Sequence, residues 1–245
     1  MHTRLRALLK KIIIKTYILK MCNYKNQVQI FIILIIISSC KLVKNKINKD
    51  YTEPLSIEKV SYIFIEAEST NSELKNWKII KKNDKNYVFG ASGEIYLEFI
   101  GNKAITGKPN SPLEYTFTVQ KSGNFKLMLM SSKRLEGVKP DWCNDAFVRL
   151  SGNFQSANTF PKFVLEKDIK ILQDGNDETA ELEWHWASTA EKDRHVYNDF
   201  VYQLKKGETY TLTLSGRSKR FSIDYIVLYD TSKFNGKKAK QIFKK

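Results

Sequence analysis

From about residue 58 onward, the chain is dominated by short runs in which every second residue is apolar. In Tyr115-Thr116-Phe117-Thr118-Val119 the apolar side chains share one face and the threonines the other, as in a half-buried strand. Lys121-Ser122-Gly123-Asn124 then reads as a turn, and Phe125, Leu127 and Leu129 resume the alternation, which predicts a hairpin. The arrangement returns in residues 200–204, the turn Lys205-Lys206-Gly207-Glu208, and Tyr210, Leu212 and Leu214 alternating with Thr211 and Thr213. Further strands are predicted at Tyr62–Glu66, 94–99, 146–150, 181–186 and 221–229. About nine to ten short strands over roughly 170 residues predict an all-β fold, a two-sheet β-sandwich or jelly roll. The single helical candidate is a weak period over residues 161–172.

The N-terminal part follows a different pattern. Residues 30–37 are eight apolar side chains in succession, too few for the ~20 that span a bilayer. Preceded by Lys25 and other basic residues, they suit the apolar region of a secretory signal. Ser38-Ser39-Cys40 resembles the lipobox of bacterial lipoproteins, which implies lipidation at Cys40 and a cell-envelope location, periplasmic or on the surface. The expected organisation is a leader over residues 1–40, with Met21 as a plausible start, and a polar tether over 41–57. A β-sandwich over 58–232 and a basic, solvated tail over 233–245 complete it. If the leader is removed, Cys143 is the one cysteine left besides the lipidated Cys40, so the fold stands without an internal disulfide. Cys143, beside Trp142, reads as a small buried residue.

A formal charge of +15 invites a nucleic-acid reading until it is placed along the chain. Residues 1–39 carry seven Lys/Arg and no acid, 41–50 carry four Lys against Asp50, and 233–245 carry six Lys. The span 51–232 holds 24 basic and 25 acidic side chains, so the body is nearly neutral and nucleic acid is not an expected partner.

One order of motifs carries a family resemblance. Ile65-Glu66-Ala67-Glu68 stands near the start, followed by Leu113-Glu114-Tyr115-Thr116-Phe117, a glycine turn and Phe125-Lys126-Leu127-Met128-Leu129. Asp145-Ala146-Phe147-Val148-Arg149-Leu150 comes next, then Lys206-Gly207-Glu208-Thr209-Tyr210 and the closing Ile223-Asp224-Tyr225-Ile226-Val227-Leu228. Across about residues 62–230 this resembles the β-sandwich carbohydrate-binding modules of families 6 and 35, within the galactose-binding-like superfold. The resemblance implies a structural calcium held by Glu66, Glu68 and Asp224, oxygen donors from the first and last strands. The plainer alternative is that Glu66 and Asp224 are solvated strand-end charges, against which Asp224 lies inside an apolar run.

Such modules stack an aromatic ring on a sugar face and bond its hydroxyls with polar side chains. Aromatic and polar residues cluster at 141–145 and 184–198, which makes Trp142, Asn144, Asp145, Trp184, Trp186, Arg194 and Tyr197 candidates. Arg217 and Arg220, just before the last strand, join them by the resemblance. Trp184 and Trp186 are two apart and share a strand face; Trp77, beside Ile79 and Ile80, is the tryptophan expected in the core; Trp142 fits either exposure or burial. His185, His195, Glu183, Asp193 and Arg194 would be the acid–base groups of an enzyme, but no catalytic motif accompanies them. The expected function is non-catalytic binding of a polysaccharide or oligosaccharide by a lipoprotein anchored to a membrane through Cys40. A polysaccharide-degrading glycosidase or lyase, and a structural or adhesive surface lipoprotein, are the alternatives.

Overall fold

The closing apolar run becomes strand β13 (Phe221–Asp230), and all ten of its residues are buried. A strand can do this only when both of its faces are covered. In the computed structural model it lies between β5 (Gly123–Lys133) and β1 (Tyr62–Glu66), with β3 (Ile95–Phe99) beside its first residues, all antiparallel. The structure describes residues 61–101, 107–156, 164–174, 181–193 and 196–244, with the side chains of 192 and 193 excepted. The expected leader, its Cys40 and the tether lie outside the described residues.

Among the described residues thirteen strands appear where nine to ten are predicted, the additions being short pairings such as β7 (Gln155–Ser156) and β10 (Val196–Asn198). The main ladder begins with β2 (Trp77–Lys81), β3, β13 and β5. It continues through β9 (His185–Asp193), β8 (Ile169–Gln173), β6 (Asp145–Ser151) and β12 (Thr209–Gly216) to β4 (Asn110–Thr118). Strand β9 joins the layers: its first residues pair with β5 and its later ones with β8. Leu97, Phe99, Leu127, Leu129, Ile223, Ile226 and Leu228 meet Leu113, Val148, Leu150, Leu212 and Leu214 in one core. Gly216 permits that closeness, because a Cβ there would stand 2.1 Å from the Phe99 ring. Trp77 is buried as expected, packs on Phe99 at 5.1 Å and donates its indole N–H to Ser111 O at 2.8 Å.

Three expectations are corrected. Neither glycine turn makes a hairpin, since β4 pairs with β12 while β5 pairs with β13, β9 and β11 (Val201–Leu204). Each turn instead carries the chain from one layer to the other, and the two turns bond each other through Gly207 N–H to Val119 O at 2.8 Å and Lys206 N–H to Ser122 Oγ at 2.8 Å. The helix sought over 161–172 is not found where that span is described: a turn leads into β8, whose Ile169, Ile171 and Gln173 point inward. Burial of alternate residues beside β6 and β9 outweighs a weak helical period.

The C-terminal tail is not a featureless solvated segment. Helix α1 (Gly236–Ile242) starts at Asn235, whose side chain accepts from Lys238 N–H at 2.8 Å. Phe234, Ala239 and Phe243 are buried against the face of the sheet that turns away from the core. Phe243 lies 4.9 Å from the Tyr62 ring, and its carbonyl accepts from Tyr225 Oη at 2.6 Å. This helix is what covers the second face of β13. Phe243→Ala is accordingly expected to cost about 3–5 kcal/mol, read as a lower urea midpoint with near-native strand signal at zero denaturant.

Candidate functional site

Strand β3 alternates its side chains between two destinations. Leu97 and Phe99 enter the core, while Tyr96 and Glu98 stand together on the opposite face. Tyr96 packs edge-on against Trp184 at 5.1 Å and lies 5.8 Å from Tyr87. Its hydroxyl donates to Asn86 O at 2.9 Å and accepts from Val88 N–H at 3.0 Å, so one phenol ties down both sides of Tyr87. Burial pushes its pKa up to about 12, so it remains a donor throughout the physiological range.

The segment held this way presents Phe89 to solvent at 81% exposure. Its ring is edge-on to Tyr87 at 5.6 Å, and its carbonyl accepts from the Trp184 indole N–H at 3.0 Å. Gly90, at φ +88°, turns the chain immediately afterward, a conformation that favours glycine. An exposed single apolar residue is ordinary; one whose backbone is fixed on both sides by buried or half-buried aromatics is a pre-ordered surface. Polar groups border it. Lys82 and Glu94 form an exposed ion pair, and both act electrostatically on the Tyr87 phenol. Burial is the main cause that raises the Tyr87 pKa, with Glu94 adding to it.

Glu98 leads from this aromatic surface into a charged network. It accepts from Arg134 Nη2 at 2.7 Å and Nε at 3.2 Å, and Arg134 also pairs with Glu136. Arg220 Nη1 donates to Glu136 at 2.6 Å, while its backbone, at φ +69°, bonds Phe99 O. Cys143 lies within hydrogen-bonding influence of Arg220. Burial pushes its thiol up despite the guanidinium, which keeps it protonated and a poor nucleophile. Trp142, in the turn just before it, is partly exposed, with Lys139 Nζ 5.9 Å from its ring centre.

The residues proposed from sequence therefore divide. Trp184 belongs to the Phe89 surface and Trp142 remains partly open, while Arg220 is bound into the Glu136–Arg134 network. Asp145 and Asn144 are buried, at 2% and 3% exposure. Asp145 accepts from Arg217 and from Ser218 Oγ, with Lys170 at 4.0 Å, so Arg217 serves this internal network and not an open surface. Trp186, at 6% exposure, lies beneath α1, edge-on to Tyr225 at 5.8 Å, and its indole donates to Lys240 O at 3.0 Å. Tyr197 is exposed but sits on β10 opposite Glu191, toward the other end of β9 from Trp184. Arg194 and His195 lie outside the described residues. Glu183 and His185 form an outward-facing pair at 3.3 Å.

Of the three acidic residues expected to hold calcium, two are brought together. Ser92 N–H donates to both carboxylate oxygens of Asp224, at 2.9 and 3.1 Å, and Ser92 Oγ donates to Glu66 Oε1 at 2.7 Å. Glu68 lies in the turn after β1 and is felt by Tyr115, whose pKa is raised first by burial and then by that carboxylate. Among the described residues, no three acidic, imidazole or thiol groups converge closely enough to hold a metal ion.

No family model matches the chain, and no curated protein matches it. Among solved structures, it is similar to a family 35 carbohydrate binding module from Clostridium thermocellum, at 14% identity over 69% of this chain and 98% of that one, TM-score 0.39. It is also similar to the C-terminal family 6 module of LamC, a marine laminarinase from Zobellia galactanivorans, at 15% identity over 69% and 99%, TM-score 0.39. A GH26-CBM35 β-(1,4)-mannanase from Podospora anserina gives 12% identity over 70% of this chain, TM-score 0.41, and this chain spans 28% of it. Families 35 and 6 are the two that the sequence resembles.

Proposed function

We propose that the chain binds polysaccharide without transforming it, through the Phe89 surface. The observation that carries this reading is a large ring exposed in water on a loop pinned by Tyr96 and Trp184. Axial C–H groups make one face of a pyranose apolar and slightly positive, and that face suits a flat π surface. Tyr87, Lys82 and Glu94 offer hydroxyl, ammonium and carboxylate groups beside it for the sugar's hydroxyls. Because the loop is ordered beforehand, little entropy is lost when sugar arrives. Trp142, partly exposed, extends the reading to a second ring.

Two further parts of the proposal come from the sequence. Calcium would be bound by oxygen donors at the Glu66–Asp224 junction, with Glu68 as the third carboxylate, and would take over contacts now made by Ser92. Lipidation at Cys40 would hold the sugar-binding part at a membrane of the cell envelope.

Phe89→Ala is expected to weaken binding to the best-bound polymer of a β-mannan, β-glucan and xylan panel by about tenfold, since a stacked ring contributes on the order of 1–3 kcal/mol. Its melting temperature should stay within a degree or two of wild type, and a reducing-end assay on the same polymers should show no release. Unchanged binding by Phe89→Ala contradicts the assignment. For calcium, the expected result is a melting temperature that rises with added ion and falls with chelator in the wild type, and responds to neither in Asp224→Ala. Identical wild-type melts would leave Ser92 as the link between the two carboxylates. Fractionation of cells expressing Cys40→Ala should move the protein from membranes to the soluble fraction.

A further inference from the structure

Helix α1 spends one side on the sheet and leaves the other to a cleft of about 730 Å³, lined by Trp186, Gly236, Lys237, Lys240, Gln241 and Lys244. At ~100° per residue, positions 237, 240 and 241 fall along a single stripe of the helix, and Lys244, two residues past its end, completes the lining. Residues 231–244 contain five lysines and no acidic residue. Lys240 Nζ is held by Asp174 at 2.7 Å, whereas among the described residues Lys237 and Lys244 have no acidic partner. Lysine stems and the edge of the Trp186 indole give the cleft apolar walls with ammonium groups at the rim.

We propose that this cleft is a second saccharide site, selective for acidic polymers that carry uronate or sulfate groups. The inference rests on the carbohydrate reading of the protein but uses a surface separate from Phe89. An acidic sugar matches both parts of the lining: C–H faces against stems and indole, and anionic groups against Lys237 and Lys244, with the Gln241 amide free for hydroxyls. A lipid surface matches less well. The apolar residues of the segment, Phe234, Ala239 and Phe243, are already buried against the sheet and are not available for insertion.

The test uses the full chain with polygalacturonate, and with phosphatidylcholine vesicles containing phosphatidylglycerol. Lys237→Gln/Lys244→Gln changes two exposed side chains, so its melt should match the wild type. It is expected to weaken polygalacturonate binding about tenfold at low salt, with the difference shrinking as salt is added. Binding to neutral polymers should be unaffected. Phe89→Ala should leave the lysine-dependent part of polygalacturonate binding in place, so a failure of either surface is visible without the other. Absent polygalacturonate binding, equal binding by wild type and the double variant, or a loss confined to anionic vesicles would overturn the proposal.

Discussion

Strand β13 has no face left for water, and this constraint organises the molecule. On one side Ile223, Ile226 and Leu228 form part of the core between the layers. On the other, Tyr225 and Tyr229 would be exposed if the chain ended at Asp230, and the C-terminal segment covers them with Phe234 and Phe243. The same arrangement accounts for Asp224. A carboxylate at 1% exposure in such a strand requires donors, and Ser92 supplies its amide while its hydroxyl reaches Glu66 on β1. The first strand, the last strand and the loop before β3 are thus joined at a point where an uncompensated charge would cost several kcal/mol.

That joint also bears on the proposed site. Ser92 closes the loop whose earlier part carries Tyr87 and Phe89, and Tyr96, on the strand that follows, holds the loop from beneath. An exposed Phe89 ring therefore sits on backbone fixed at Asn86, Val88, its own carbonyl and Ser92. The charged residues behind it neutralise one another: Glu98 with Arg134, Glu136 with both Arg134 and Arg220. The candidate surface is aromatic and rigid, with charge arranged around it.

Much of the architecture was legible in the sequence, because alternation reports burial of one face directly. Tyr62–Glu66 has the boundaries that the pattern predicts, and Trp77 is in the core. What the pattern does not encode is which layer a strand joins. A Lys-Ser-Gly-Asn turn looks alike whether the strands flanking it pair or cross between sheets, and here they cross. In the tail, six lysines conceal the apolar pattern of Phe234, Ala239 and Phe243. Asp145 and Arg217 have the chemistry of sugar ligands, yet they satisfy each other in the interior. Phe89 was missed because a lone aromatic in Val-Phe-Gly carries no periodic signal. Its available cue was the nearby density of aromatic residues, Tyr87, Phe89 and Tyr96.

The central claim is that sugar meets the protein at Phe89, and the Trp184 indole N–H, bonded to the Phe89 carbonyl, is a reporter built into that spot. Trp77, buried and bonded to Ser111 O, is a reporter of the core. Titrating ¹⁵N-labelled protein with the neutral polysaccharide it retains, and following the tryptophan indole resonances, reads both at once. The account predicts a saturable shift of the Trp184 signal while Trp77 stays fixed. A saturating titration that moves the Trp142 signal and leaves Trp184 unchanged would contradict it.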